Sequence, residues 1–145
     1  MYDSILLPTD GSDGIDAATR HAGTIADRFD ATVHVLSVVD TRNRFESPSS
    51  GLSADAWVEA ERERAMEAIE ATVTELPDDI AVETAQREGV PTTEIINYVE
   101  QEPVDVVVMG THGRTGLDHY LIGSVAETVV RKSPVPVLTV RLTDE

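Results

Sequence analysis

The amino-acid sequence predicts an α/β protein built on an open, parallel, five-stranded sheet with helices on both faces. Two observations predict it. Short runs rich in Val, Ile and Leu alternate with segments whose apolar residues recur at steps of three and four. One such run, VDVVVM at 104–109, lacks polar alternation, as expected of a strand covered on both faces. Strands joined by single helices must run parallel with right-handed crossovers, which places helices on both sides of the sheet.

Taken in order, strands are expected at 2–8 (YDSILLP), 32–39 (TVHVLSVV), 80–86 (IAVETAQ), 104–109 and 135–141 (VPVLTVR). IAVETAQ alternates and suits an edge. Ile15, Ala18, Ala22, Ile25 and Phe29 define the first helix, and Val58, Ala65, Ile69, Thr72 and Leu76 the second. A shorter third helix contains Ile95, Ile96 and Val99. A fourth contains Val125, Val129 and Val130, opens at Ser124 as its N-cap, and stops at Ser133-Pro134. The acids Glu59, Glu61, Glu63, Glu67, Glu70 and Glu75 of the second helix read as a solvated face rather than a metal cluster. The long irregular stretch 40–52 (DTRNRFESPSSGL) reads as a mobile loop and candidate lid.

With 145 residues, one domain spanning 1–145 is expected. The absence of cysteine excludes disulfides, thiolate metal sites and cysteine nucleophiles within these residues. The opening MYDSILLPTD has no basic segment and a very short apolar run, and no stretch approaches the ~20 apolar residues of a membrane span, so a soluble, cytoplasmic protein is expected. Twenty-seven acids against eleven bases give a net charge of −16, and Lys132 is the only lysine. Such a surface repels nucleic acid and anionic membrane. It also repels itself, and molar salt, with a Debye length of ~3 Å, screens that repulsion. A halophilic, salt-rich cytoplasm is the expected setting, with an acidic mesophilic protein as the alternative.

Open parallel sheets take ligands beyond the carboxyl ends of their strands, where strand order reverses. Two loops there carry suitable chemistry: PTDGS at 8–12, and GTHGRTGLDHYLIGS at 110–124. The second joins a buried strand to a helix. Glycine-rich backbone N–H groups and the positive end of the helix dipole then point at one place, which makes an anion site with phosphate as its usual guest. The loop lacks the lysine of a Walker A sequence and does not match the dinucleotide GxGxxG. Arg114 is its one permanent cation. The alternative is that the glycines supply positive φ for turns.

These residues resemble the universal stress protein family in its ATP-binding branch. Gly110-x2-Gly113-x9-Gly123-Ser124 looks like the family's G-2x-G-9x-G-[S/T] motif, and ILLPTDGS at 5–12, REGVP at 87–91, VDVVVMGTHGRTGL at 104–117 and GSVAETVVRKSPVPVLTV at 123–140 agree with it. The resemblance implies a Rossmann-like sheet of the adenine nucleotide alpha hydrolase type, holding ATP or AMP between the first and fourth strands. It implies that Asp10 takes the ribose hydroxyls, that Pro8 and Thr9 lie beside the adenine, and that the Val38 backbone reads the base edge. Met109 and Gly110 would lie under the ribose and α-phosphate. Gly113, Arg114, Gly123, Ser124 and Val125 would cradle the phosphates. The alternative role for Asp10 is an N-cap of the first helix.

His112 and His119 flank the glycine loop, and Asp13, Asp40 and Asp118 are candidate ligands for a Mg²⁺ shared with the phosphates. No base–nucleophile pair is evident. A nucleotide-binding regulatory module, with weak ATP hydrolysis at most, is therefore expected ahead of a true ATPase or phosphotransferase with an unknown acceptor. The resemblance further implies a homodimer through the last strand, 135–141.

Overall fold

The computed structural model describes residues 2–11, 15–43, 54–111 and 123–141. Five strands, β1 (Ser4–Pro8), β2 (Thr32–Asp40), β3 (Ala81–Gly89), β4 (Val106–Gly110) and β5 (Val137–Val140), form one parallel sheet in the order β3-β2-β1-β4-β5. Four helices connect them: α1 (Ile15–Phe29), α2 (Ala54–Glu75), α3 (Pro91–Gln101) and α4 (Ser124–Lys132). The chain winds outward from β1 to β3, then crosses back to β4 on the far side of β1. Strand order therefore reverses between β1 and β4.

Alternation along the central strands supplies two cores, one on each face. Ile5, Leu7, Val33, Val35, Val106 and Val108 pack with Ala18, Ala22 and Ala26 of α1 and Ile69 of α2. The alanine stripe lets α1 approach the sheet closely. Leu6, Leu36, Val107 and Met109 face the other way, against Ile95 and Val99 of α3 and Ala126 and Val129 of α4. β3 is half-exposed along its length and lies at one edge, as its alternating sequence predicts, while β4 is buried between β1 and β5.

Several boundaries move. β1 begins at Ser4 rather than residue 2, where Asp105 intervenes: its Oδ2 accepts the N–H groups of Asp3 and Ser4 at 2.8 and 3.0 Å. β3 runs to Gly89, because it follows β2 residue for residue from Thr32↔Ala81 to Asp40↔Gly89. α3 starts at Pro91, whose fixed φ suits the first helical turn, and extends well beyond the short apolar pattern. The expected loop 40–52 is ordered at its start, where Asp40 closes β2 and Thr41–Asn43 form a 3₁₀ turn; residues 44–53 lie outside the described residues.

One buried polar pair ties β2 to α3. His34 Nδ1 lies 2.7 Å from Tyr98 Oη, with both side chains buried, and the Arg87 guanidinium lies 4.9 Å from the centre of the tyrosine ring. Burial raises the Tyr98 pKa above the ordinary phenol value, and the Glu102 and Glu83 charges add to it. The acids of α2 are exposed, as expected of a solvated face, except for the half-buried Glu61; Arg62 bridges Glu59 and Glu88, and Arg64 approaches Glu61.

Candidate functional site

A cleft of about 310 Å³ opens at the carboxyl ends of β1, β2 and β4. Its position is the switch point that open parallel sheets use for ligands. Its volume falls at the small end of the ~300–1,000 Å³ of small-molecule sites. Ten of the candidate site residues singled out by sequence line it: Pro8, Thr9, Asp10, Val38, Asp40, Met109, Gly110, Gly123, Ser124 and Val125. Gly113 and Arg114, with His112, His119, Asp13 and Asp118, lie outside the described residues.

The first wall is the turn after β1. Thr9 N–H donates to Leu36 C=O at 2.8 Å, so the turn leaves the sheet only after one further inter-strand bond. Thr9 Oγ1 and Thr72 Oγ1 are 3.0 Å apart in the interior, and Thr72 donates to Ala68 C=O at 2.9 Å. The Thr72 hydroxyl thus lies within donating distance of both Thr9 Oγ1 and Ala68 C=O, and Thr9 Oγ1 also accepts the Gly11 N–H at 3.4 Å. This chain fixes the turn to α2. Gly11, at φ +78°, makes the reversal that follows Asp10. Asp10 stands five residues before the first residue of α1, too far away to cap it. The half-buried Asp10 faces the cleft instead.

The second wall comes from β2, which outruns β1. β1 ends at Pro8 opposite Leu36, and the Leu36 carbonyl points toward β1. Residues two apart on a strand direct their backbone groups to the same side. The Val38 N–H and C=O thus point past the end of β1, toward the space that the cleft occupies. Leu36 and Val38 of β2, with Pro91 and Ile95 of α3 and Met109 of β4, give the cleft an apolar lining.

The third wall is the start of α4. Thr111 N–H donates to Val140 C=O at 3.1 Å, and Gly123 N–H donates to Thr111 C=O at 2.5 Å. The chain between Thr111 and Gly123 therefore leaves and returns through one hydrogen bond. The N-cap is Gly123, not Ser124, and Gly123 is held by its bond to Thr111 and by Glu127 N–H donating to its carbonyl at 2.9 Å. Two expectations change. The Gly123 N–H is engaged by Thr111, so the donors that α4 leaves open at its start are the N–H groups of Ser124, Val125 and Ala126, which helix geometry leaves without intrahelical acceptors. With φ −70° and ψ 159°, Gly123 occupies backbone that any residue adopts, so a positive-φ turn does not account for this glycine. Arg131 and Lys132 sit in the last turn of α4 and complement its dipole.

Sequence reasoning missed Arg42 as a lining residue. Arg42 extends from the 3₁₀ turn to the cleft and grips Asp40 with two side-chain bonds, Nε to Oδ1 at 2.9 Å and Nη2 to Oδ2 at 2.6 Å; its backbone N–H also reaches Oδ1 at 3.1 Å. The hydrogen bonds and charge of Asp40 raise the Arg42 pKa above its ordinary value. Both Asp40 oxygens accept from this arginine, so a metal ion recruiting Asp40 would share the carboxylate with it. The sequence signal was the D-x-R spacing at 40–42, inside a stretch read only as loop. Pro91 and Ile95 were also missed, since REGVP was noted without a role and Ile95 was counted as core.

Strand order and cleft together define a doubly wound α/β protein with a cleft at its switch point. A model described as "Universal stress protein family" matches residues 1–141. The chain belongs to the universal stress protein family. It is 40% identical over 147 residues to universal stress protein MJ0531 of Methanocaldococcus jannaschii, covering 97% of this chain and 83% of that one. The solved structure of hypothetical protein MJ0577 of the same organism superposes with a TM-score of 0.85 at 33% identity, covering 100% of this chain and 99% of the other. A universal stress protein from Archaeoglobus fulgidus, solved in complex with dAMP, shares the fold with a TM-score of 0.67 at 21% identity, covering 95% of this chain and 97% of that one.

Proposed function

We propose that this universal stress protein binds an adenine nucleotide, ATP or AMP, in the switch-point cleft and acts as a regulatory module that reports energy state or stress. One observation carries the reading: a carboxylate, an outward-facing strand backbone and a helix N-terminus meet in one cleft, in the order that ribose, base edge and phosphate would require. Asp10 accepts the ribose hydroxyls. Val38 offers backbone N–H and C=O to the base edge, with Pro8 and Thr9 beside the ring and Met109 and Gly110 beneath the sugar. Ser124, Val125 and Ala126 present N–H groups to phosphate, with Gly123 as their cap and Gly113 and Arg114 completing the cradle. The proposal includes a Mg²⁺ shared with the phosphates, with Asp13, Asp40 and Asp118 as its candidate ligands. With no base–nucleophile pair evident in the sequence, the proposal is binding with weak hydrolysis at most.

The proposal includes one domain over 1–145, a cytoplasmic setting, and a homodimer through β5. β5 is the last strand in the sheet order, and the exposed Leu138 on it and Val130 on α4 offer apolar surface nearby. None of the described helices is long and apolar enough to cross a membrane.

Mass spectrometry of small molecules released from the denatured, as-purified protein, with calorimetric titration of ATP and AMP in high KCl, tests the reading. Released or titrated adenine nucleotide is expected. Asp10→Ala should weaken ATP by roughly tenfold or more, since hydrogen bonds to a charged group contribute ~1.5–3 kcal/mol, and should weaken the 2′,3′-dideoxy analogue far less. A protein that carries no nucleotide and binds none sinks the proposal. Single-turnover conversion of labelled ATP, appreciably faster in the parent than in Arg114→Ala, would replace the regulatory module with an enzyme.

A further inference from the structure

We propose that Arg42, held flat by Asp40, is a specificity-determining residue of the cleft that stacks on the base and favours purine over pyrimidine ligands. This rests on the adenine-nucleotide reading above and adds a residue and a selectivity that the reading does not contain.

Arg42 is the only basic side chain among the described residues lining the cleft. Its position sets which part of a ligand it meets. It follows β2, the strand that carries Val38, whereas the N-terminus of α4 follows β4, on the other side of β1. β2 and β4 flank β1, so roughly 10 Å of sheet separates them at ~4.8 Å per strand spacing. Arg42 therefore stands at the β2 end, where the base lies, and away from the phosphate donors.

Its hydrogen bonding sets what it can offer there. A guanidinium is planar, and the two bonds to the Asp40 carboxylate, at 2.9 and 2.6 Å, fix that plane. They also compensate its charge locally, so the pair adds little net attraction for a distant phosphate. What it still presents is a polarisable flat face, the surface by which arginine stacks on aromatic rings. The anchoring is intrinsic to the 3₁₀ turn, because the Arg42 N–H binds the same carboxylate at 3.1 Å. In a chain of net charge −16, an arginine without such a fixed partner would have many competing acids. Adenine offers a larger face than cytosine or uracil, so a stacked guanidinium discriminates by ring size.

Calorimetry of the full chain at fixed KCl with adenosine, AMP, ATP and cytidine tests this. Arg42→Ala should weaken adenosine, AMP and ATP by a similar factor, roughly threefold to tenfold for an interaction of the cation–π class, and should narrow the preference for adenosine over cytidine. Arg42→Lys should not restore binding, because an ammonium lacks the flat face. Arg62→Ala, which removes a cation elsewhere on the surface, should leave all four affinities unchanged. A loss that grows with phosphate number would place the guanidinium on the phosphates and overturn the proposal, as would an Arg42→Ala protein with parental affinities. If the parent binds none of the adenine ligands, the nucleotide reading itself falls. If it binds them and Arg42 proves indifferent, only this inference falls.

Discussion

Replacing Gly123 with alanine separates the two reasons for a glycine at the start of α4. Were the glycine needed for its backbone, alanine would strain the loop and destabilise the fold. The observed φ −70° and ψ 159° are open to any residue, and both backbone polar groups of Gly123 are hydrogen-bonded within the protein. Alanine then restricts the unfolded chain, which stabilises by ~0.4–1 kcal/mol. Against this, alanine is a poorer N-cap than glycine by about 0.5–1.5 kcal/mol. The two nearly cancel, so the melting temperature should stay within about 3 °C of the parent. Ligand binding should not be spared. The added methyl group lies beside the Ser124, Val125 and Ala126 N–H donors, and loss of one charge-assisted hydrogen bond costs ~1.5–3 kcal/mol, about tenfold to a hundredfold in affinity. Adenosine, which has no phosphate, should bind Gly123→Ala as it binds the parent. Thermal melts together with calorimetry against ATP and adenosine give the answer. Normal ATP affinity, or an equal loss for adenosine, would refute the assignment of α4 as the phosphate end, and a large drop in melting temperature would refute the backbone argument.

Three further outcomes follow from the same geometry. Thr72→Val removes the hydroxyl partner of buried Thr9; it should cost ~1–3 kcal/mol in denaturant unfolding and also weaken ATP, because the turn carrying Asp10 loses its tie to α2. The Tyr98 pKa is raised in the fold, so the protonated phenol is the form the fold favours. Its contribution is complete below the unfolded phenol value of ~10 and is lost as pH rises through the folded value; unfolding midpoints should fall steeply above pH 10, and Tyr98→Phe should flatten that fall. Raising KCl from dilute to molar should increase both melting temperature and ATP affinity, since a net charge of −16 repels itself and an anionic ligand over distances that salt screens, whereas contacts of about 3 Å are screened little. A melting temperature indifferent to KCl would remove the halophilic reading.

Legibility from sequence followed how local each constraint was. VDVVVM could be placed in the middle of the sheet because burial on both faces leaves a mark on every residue of the strand, and β4 does lie between β1 and β5. Asp10, Val38, Met109 and Ser124 could be gathered into one cleft because strand order alone brings the ends of β1, β2 and β4 together. The cap of α4 was misplaced by one residue for a physical reason. Serine is the better local capper, but the bond from Gly123 N–H to Thr111 C=O depends on a partner twelve positions away, and it decides where the helix starts. The Arg42–Asp40 grip escaped notice for a different reason. Its partners are two residues apart, yet its significance comes from β2 outrunning β1, a register that only the paired strands reveal. That same overhang turns the Val38 backbone toward the cleft and carries the 3₁₀ turn to its rim. In the proposed reading, the base end of the site is thus a product of strand length, and the phosphate end a product of helix start. An insertion or deletion in β2 should therefore disturb base selection while leaving the α4 donors in place.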